Sequence, residues 1–253
     1  MKIMSDNSEI TFSNYGVYDL ESDLEFFLPN TTIKFHRISD NAFSYFRKNY
    51  EGMIVEKIIP IKSNNLKIEL APIRPLNHPA RRTSHMFLQF DKDIYLSENS
   101  AASIFVHCPI EIGIFLVHES TRDSLDWITC NSLNSRFGLY GSPDTGKLCK
   151  YAKVSLATDY TDSNSYLEGV MQIVVENTLS FGQSISKIVF QITDNALYYQ
   201  DSKTIIDGIK ITMKKRAAVN IADVKTTSLQ TDWSMSPTWE DKIVSTHMEM
   251  GLE

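Results

Sequence analysis

The sequence is poor in the features that mark several protein classes. It holds only 3 cysteines, Cys108, Cys130 and Cys149, with no CxxC pair among them. An odd, widely spaced set argues against a disulfide framework and fits a reducing compartment. With 10 glycines and 8 prolines in 253 residues, collagen-like and low-complexity architectures are excluded. No apolar run reaches the length of a bilayer-spanning helix. The longest apolar-rich stretch, Ile104 to Val117, is broken by His107, Pro109 and Glu111. Met1 to Ile10 has no apolar run of signal-peptide length, which predicts no secretion. Positive charge is also short: 25 Lys+Arg against 31 Asp+Glu leaves a net charge of -6. Phosphate neutralisation needs a basic face, so nucleic acid is not an expected partner. These shortages together predict a soluble, cytoplasmic protein without a transmembrane segment.

What the sequence does hold is apolar alternation. Apolar residues make up 42% and aromatics 11%, enough for a real core. Leu66 to Leu70 alternates strictly, as do Ile188, Phe190 and Ile192, then Ile209, Ile211 and Met213, and also Met171, Ile173 and Val175. Such rows mark half-buried strands. Ile110, Ile112, Ile114 and Leu116 form another, but Phe115 and Val117 on its other face predict cover on both sides towards its end. Polar turns separate the rows at Ser63-Asn64-Asn65, Asp91-Lys92-Asp93, Ser97 to Ser100 and Thr193-Asp194-Asn195. Short strands spaced this way predict an all-β fold: an antiparallel β-sandwich, immunoglobulin-like or jelly-roll-like, with a smaller N-terminal β unit. The expected division is an N-terminal β unit over 1–72, a Pro/Arg-rich linker over 73–84, the main sandwich over 85–225 and a C-terminal segment over 226–253. Ser236 to Met250 reads equally as a capped helix and as a strand.

The chemistry-bearing patterns are weak. Gly141 to Lys147 reads GSPDTGK, the G-x-x-x-x-G-K spacing of a phosphate loop. The next residue is Leu148 where Ser or Thr should hold Mg²⁺, and Cys149 to Val154 alternates like a strand where a helix should begin. The GSPDTGK stretch is expected to be a loop between two strands. Tyr140, Gly141, Lys147 and Tyr151 in and beside it are the candidate ligand-binding residues. His107, Cys108, Glu111 and His118 lie close together but do not share one strand face, so no metal site is assigned. No G-x-S-x-G elbow or recognisable catalytic cysteine occurs, and no catalytic residue or cofactor is assigned. The paired acids Asp123 with Asp126 and Asp159 with Asp162 read as loop solvation rather than a hydrolytic pair. Cations cluster twice: Arg74, Arg81 and Arg82 in the linker, and Lys214, Lys215 and Arg216 further on. Both are candidate contacts for an acidic partner or anion, and both also read as ordinary salt-bridged or solvated positions.

Several segments in order carry a resemblance. They are Ala71 to Asn77, Pro109 to Gly113, Leu139 to Pro143 with Gly146 to Tyr151, Glu168 to Val170, Ile188 to Phe190, and Met248 to Leu252. Together they resemble a family of uncharacterised archaeal proteins, a domain of unknown function, over nearly the whole chain. The resemblance implies no activity, cofactor or catalytic residue. It implies a membrane channel as a partner, because members tend to be encoded near small mechanosensitive channels. The expected function is therefore a non-enzymatic cytoplasmic interaction module, peripheral to the membrane if a channel is the partner, with homo-oligomers also open. The alternative is a small-ligand or carbohydrate-binding sandwich, or less readily a hydrolase of that shape.

Overall fold

The computed structural model describes residues 13–49, 52–61, 66–119, 121–130, 136–216 and 219–240. Strands take 66% of them and helix 1%, so the all-β expectation holds. In chain order the first strands are β1 (Gly16–Asp19), β2 (Leu24–Leu28), β3 (Thr31–Ser39), β4 (Ala42–Asn49), β5 (Ile54–Pro60) and β6 (Lys67–Ile73). Then come β7 (His85–Leu96), β8 (Ser100–Pro109), β9 (Glu111–His118), β10 (Thr121–Ile128), β11 (Arg136–Tyr140) and β12 (Lys147–Val154). The last are β13 (Leu156–Ala157), β14 (Glu168–Asn177), β15 (Gln183–Gln191), β16 (Leu197–Gln200), β17 (Lys203–Arg216), β18 (Val219–Thr227) and β19 (Ser234–Met235).

Four sheets make two sandwiches. In the first, the sheet β1-β6-β9-β10 faces the meander β2-β3-β4-β5. Period-two alternation does the sorting. β3 turns Thr31, Ile33 and Phe35 inward, and β4 turns Phe43, Tyr45 and Arg47 inward. The rings of Phe26, Phe35 and Tyr45 step across three neighbouring strands, with centroids 6.2 Å and 5.2 Å apart. Pro29 and Asn30 close the β2–β3 hairpin, and Asn30 has φ +58°, the left-handed turn position that asparagine tolerates. The cover on both faces expected towards the end of β9 lies instead at its start: Glu111 to Phe115 are all buried, while Leu116 to His118 are half-buried. Gly113 is required there: a Cβ would lie 2.9 Å from Ile73 Cγ2 and 2.6 Å from the Phe115 ring.

In the second sandwich, the sheet β11-β12-β7-β15 faces the sheet β13-β8-β14-β17, which continues to β16-β19 at one end of β17 and to β18 at the other. Two pairs run parallel, β7 with β12 and β14 with β17. Parallel neighbours need long crossovers: β15 and β16 lie between β14 and β17, and the path from β7 to β12 passes through β9 and β10 of the first sandwich. Asp91-Lys92-Asp93, a turn by its polar pattern, lies within β7. Its pairing to β15 jumps from Ile94 opposite Ile185 to Gln89 opposite Lys187, so these residues form a bulge in a continuing strand. Ser63 to Asn65 lie outside the described residues. So does the terminal stretch from residue 241, while 236–240 is neither helix nor strand.

Strand pairing crosses the boundaries drawn from sequence. β9 and β10, which fall within 85–225, complete the first sandwich beside β6. The chain passes between sandwiches at 73–85 and again at Ile110, and one buried side chain ties these passages together. Glu111 accepts hydrogen bonds from the Asn77 N–H at 3.0 Å, Asn77 Nδ2 at 2.8 Å and the His78 N–H at 2.9 Å. Lys150 on β12 donates from Nζ to the His78 carbonyl and lies close enough to act on the carboxylate. A second buried group joins the two sheets of the first sandwich. Asp126, expected to solvate a loop, is instead buried on β10, where it accepts from Tyr45 Oη at 2.6 Å and Arg47 Nε at 2.7 Å. Burial, and then the Asp126 charge, hold the Tyr45 phenol protonated well beyond its ordinary range.

Asp126→Ala strands a buried guanidinium, and the expected loss is about 3–5 kcal/mol in urea unfolding. Glu111 gives a pH signature. Burial pushes its carboxyl from 4.5 up to about 7, against the stabilising pull of the hydrogen bonds and Lys150. The folded chain then keeps a proton that the unfolded chain releases between those values. Stability is fullest below pH 4.5 and falls as pH rises towards about 7, by up to about 1.4 kcal/mol per pH unit. Urea midpoints across that window should fall for the natural protein, and Glu111→Gln should lose this component of the slope.

Candidate functional site

The two facing sheets of the second sandwich do not end together. Among the described residues β15 pairs with β7 alone and is the edge of its sheet. Ile188 and Phe190 on β15 share a buried cluster with Ile209, Ile211 and Met213 on β17. The opposite sheet goes one strand further, to β18, which pairs with β17 alone. Ala222, Val224 and Thr226 stand opposite Met213, Ile211 and Ile209. Directly opposed residues share a sheet face, so these three continue the inward face past the β15 edge. Val224 packs against the cluster, while Ala222 and Thr226 stay exposed. The result is a cleft of about 1090 Å³ running along the whole of β15.

The β11–β12 hairpin closes one end of this cleft. Residues 141–146 are the loop expected from the sequence, and the alternation after Lys147 is β12. Tyr140, Gly141 and Lys147 line the cleft. Tyr151 does not: its ring packs against Phe87 at 5.4 Å and beneath the Arg136 guanidinium at 4.8 Å. Lys147 Nζ lies 3.4 Å from His85 Nε2. Burial, and then the Lys147 charge, pull the His85 imidazole below its ordinary value, which favours the neutral ring. Lys187 and Lys225 add two more cations to the lining, against the acid Asp194. Among the described residues none of Lys147, Lys187 and Lys225 is in an ion pair.

A family model matches residues 14–249, which is nearly the full chain, and its family is described as a protein of unknown function, DUF432. The chain belongs to DUF432. No curated protein and no solved structure matches it.

Of the other sequence-marked groups of this DUF432 chain, Arg74, Arg81, Lys214 and His107 are engaged within the fold. Arg74 Nε donates to the carbonyls of Ile192 at 3.1 Å and Asn195 at 3.0 Å, and Arg81 donates to the Trp239 carbonyl at 3.3 Å. Both arginines line a second, smaller cavity of about 240 Å³ with residues 235–239. Arg82 is exposed. Lys214 is paired with Asp223 at 2.9 Å, whereas Lys215 and Arg216 are exposed at the end of β17. His107 is buried with Asp162 3.7 Å from Nε2 and Glu168 3.8 Å from Nδ1. Those acids flank opposite ring nitrogens, so they cannot share an ion with His107 through one nitrogen. Among the described residues no group of three His, Cys, Asp or Glu is arranged to hold a metal.

All three cysteines are free and buried. Burial raises the Cys108 and Cys149 thiols and pushes Cys130 up to about 12. A thiol nucleophile must ionise and be reached, and these meet neither condition. The sequence reading had the hairpin wall of the cleft but not its floor. Ala222, Val224 and Thr226 do alternate, yet nothing in a single strand's pattern says that the strand opposite is missing. Native protein should therefore react with a disulfide exchange reagent at least about a hundredfold more slowly than protein unfolded in urea, read by absorbance.

Proposed function

We propose that this protein is a non-enzymatic interaction module that seats a protein partner in the cleft between β15 and β18. One observation carries the reading: an apolar sheet face, at Val224 and its neighbours, runs past the edge of the sheet that should cover it. Exposed apolar surface beside an open strand edge is costly to maintain and marks a contact surface. The lining supplies cations, neutral polar groups and the acid Asp194 around that floor. Buried free thiols fit work in a reducing compartment, at or near the cytoplasmic face of a membrane if the partner is a channel, as the family resemblance suggests.

A second reading has its own support. Tyr140, Gly141 and Lys147 converge at the hairpin end of the cleft, where an aromatic ring and a cation could hold a small amphipathic ligand or a sugar.

The test uses Ala222→Trp, which fills the cleft from an exposed position. Tagged natural and variant proteins are used to capture partners from native cells, with soluble and detergent-extracted fractions kept apart. The expected result is a stoichiometric partner whose capture drops at least about tenfold with Ala222→Trp while the melting temperature is unchanged. Capture that is indifferent to Ala222→Trp would remove the cleft from the function. A thermal shift with sugars or amphipathic acids that Ala222→Trp abolishes would favour the small-ligand reading instead.

A further inference from the structure

Resting on the cleft reading, we infer that the partner enters as an extended strand: an acidic segment that pairs with the free edge of β15 and lays alternate apolar side chains over β18. The geometry is that of a sandwich with one strand position unfilled. Among the described residues β15 is an edge, and β18 lies one position beyond it in the facing sheet. Neighbouring strands sit about 4.8 Å apart and facing sheets about 10 Å apart. A chain set beside β15 therefore falls above Ala222, Val224 and Thr226. All of β15, from Gln183 to Gln191, lines the cleft, so the edge of the strand borders the gap along its whole length. Pairing there satisfies an open edge, and the period of two delivers every second side chain to the apolar floor.

Charge selects the occupant. Lys147 borders the hairpin end of the cleft against Asp194, and Lys187, opposite Gln89 on the outer face of the β15 edge, stands where alternate side chains of an added strand would fall, which favours a segment of negative sign. The same lysines weigh against a second copy of this chain. Lys187 is the middle residue of the 9 in β15, so an antiparallel pairing of two β15 strands in full register sets Lys187 opposite itself. Like charges directly opposed across a ladder are destabilising. Lys187 is also an edge-strand lysine, a device that discourages self-pairing while leaving an acidic strand welcome.

The probe is a synthetic peptide matched to the 9 residues of β15: Glu-Val-Thr-Val-Glu-Val-Thr-Val-Glu, blocked at both ends. Its valines share one face and its glutamates the other. Binding is followed by titration calorimetry against the whole protein. N-methylation of alternate amides is the decisive variation, because only the set facing β15 donates to it. The expected result is binding that weakens at least about tenfold when one alternate set is methylated and changes little when the other set is. Lys187→Glu should weaken it by about tenfold, and a probe with Lys in place of Glu should bind worse by a similar factor. Equal effects of the two methylated sets, equal binding of the Lys probe, or no binding would overturn the inference. So would a concentration-dependent dimer that the probe dissociates, since the gap would then belong to a second copy. If the probe fails while Ala222→Trp still abolishes partner capture, strand addition falls and the cleft reading stands. If capture is also indifferent to Ala222→Trp, the cleft reading falls as well.

Discussion

The Glu111 carboxylate is the constraint on which the two-sandwich arrangement rests. The chain passes between the sandwiches after β6 and returns between β8 and β9, and neither passage has a ladder of its own to fix it. Glu111 stands at the start of β9 and gathers the N–H groups of Asn77 and His78 from the other passage. Lys150 reaches the same turn from β12. These groups are buried, and an unmet N–H there would cost about 1–3 kcal/mol, so the carboxylate and its donors hold each other in place. β6 and β9 are thereby set side by side, and their pairing from Lys67–Val117 to Ile73–Glu111 continues the register.

The other consequence concerns edges. A sandwich whose sheets carry equal numbers of aligned strands can cover both inner faces. Here β18 extends one sheet past the other, because β17 is long enough to pair with β16 along one part and β18 along the rest. The apolar face of β18 thus has no strand above it, and β15 has no strand on the side away from β7 among the described residues. Covering one exposed edge would also cover the other. The cleft consequently has a directional, strand-like character that a round ligand pocket lacks. Its cations sit around this gap while the whole molecule carries a net charge of -6, so local charge and net charge point to different partners.

The titratable groups of the interior serve the fold. Asp126, Tyr45 and Arg47 close one network between sheets, and Glu69 links Arg122 to Tyr199 in another, at 2.5 Å and 3.3 Å. In each, the acid is already filled with donors. Catalysis needs an acid or base aimed at space that a substrate can occupy, and these point at one another.

The sequence by itself determined the class of fold and many of its strands. The alternation of Ile188 with Phe190 and of Ile209 with Ile211 and Met213 appears as read, because a strand's period of two is written in its own residues. The loop nature of Gly141 to Lys147 was legible for the same reason: Leu148 and the alternation after it are local facts. Tertiary structure alone decided which strands became neighbours. Asp91-Lys92-Asp93 looks like a turn but is carried through β7 as a bulge, because β15 pairs with the strand both before it, at His85 to Gln89, and after it, at Ile94 to Leu96. β9 and β10 joined the first sandwich through Glu111 and β6, across a boundary that composition had suggested. The cleft belongs to the same category. It is made by a strand that is not there, and an absent neighbour leaves no mark on the residues of β15 or β18, whose alternation is satisfied by the faces they already have.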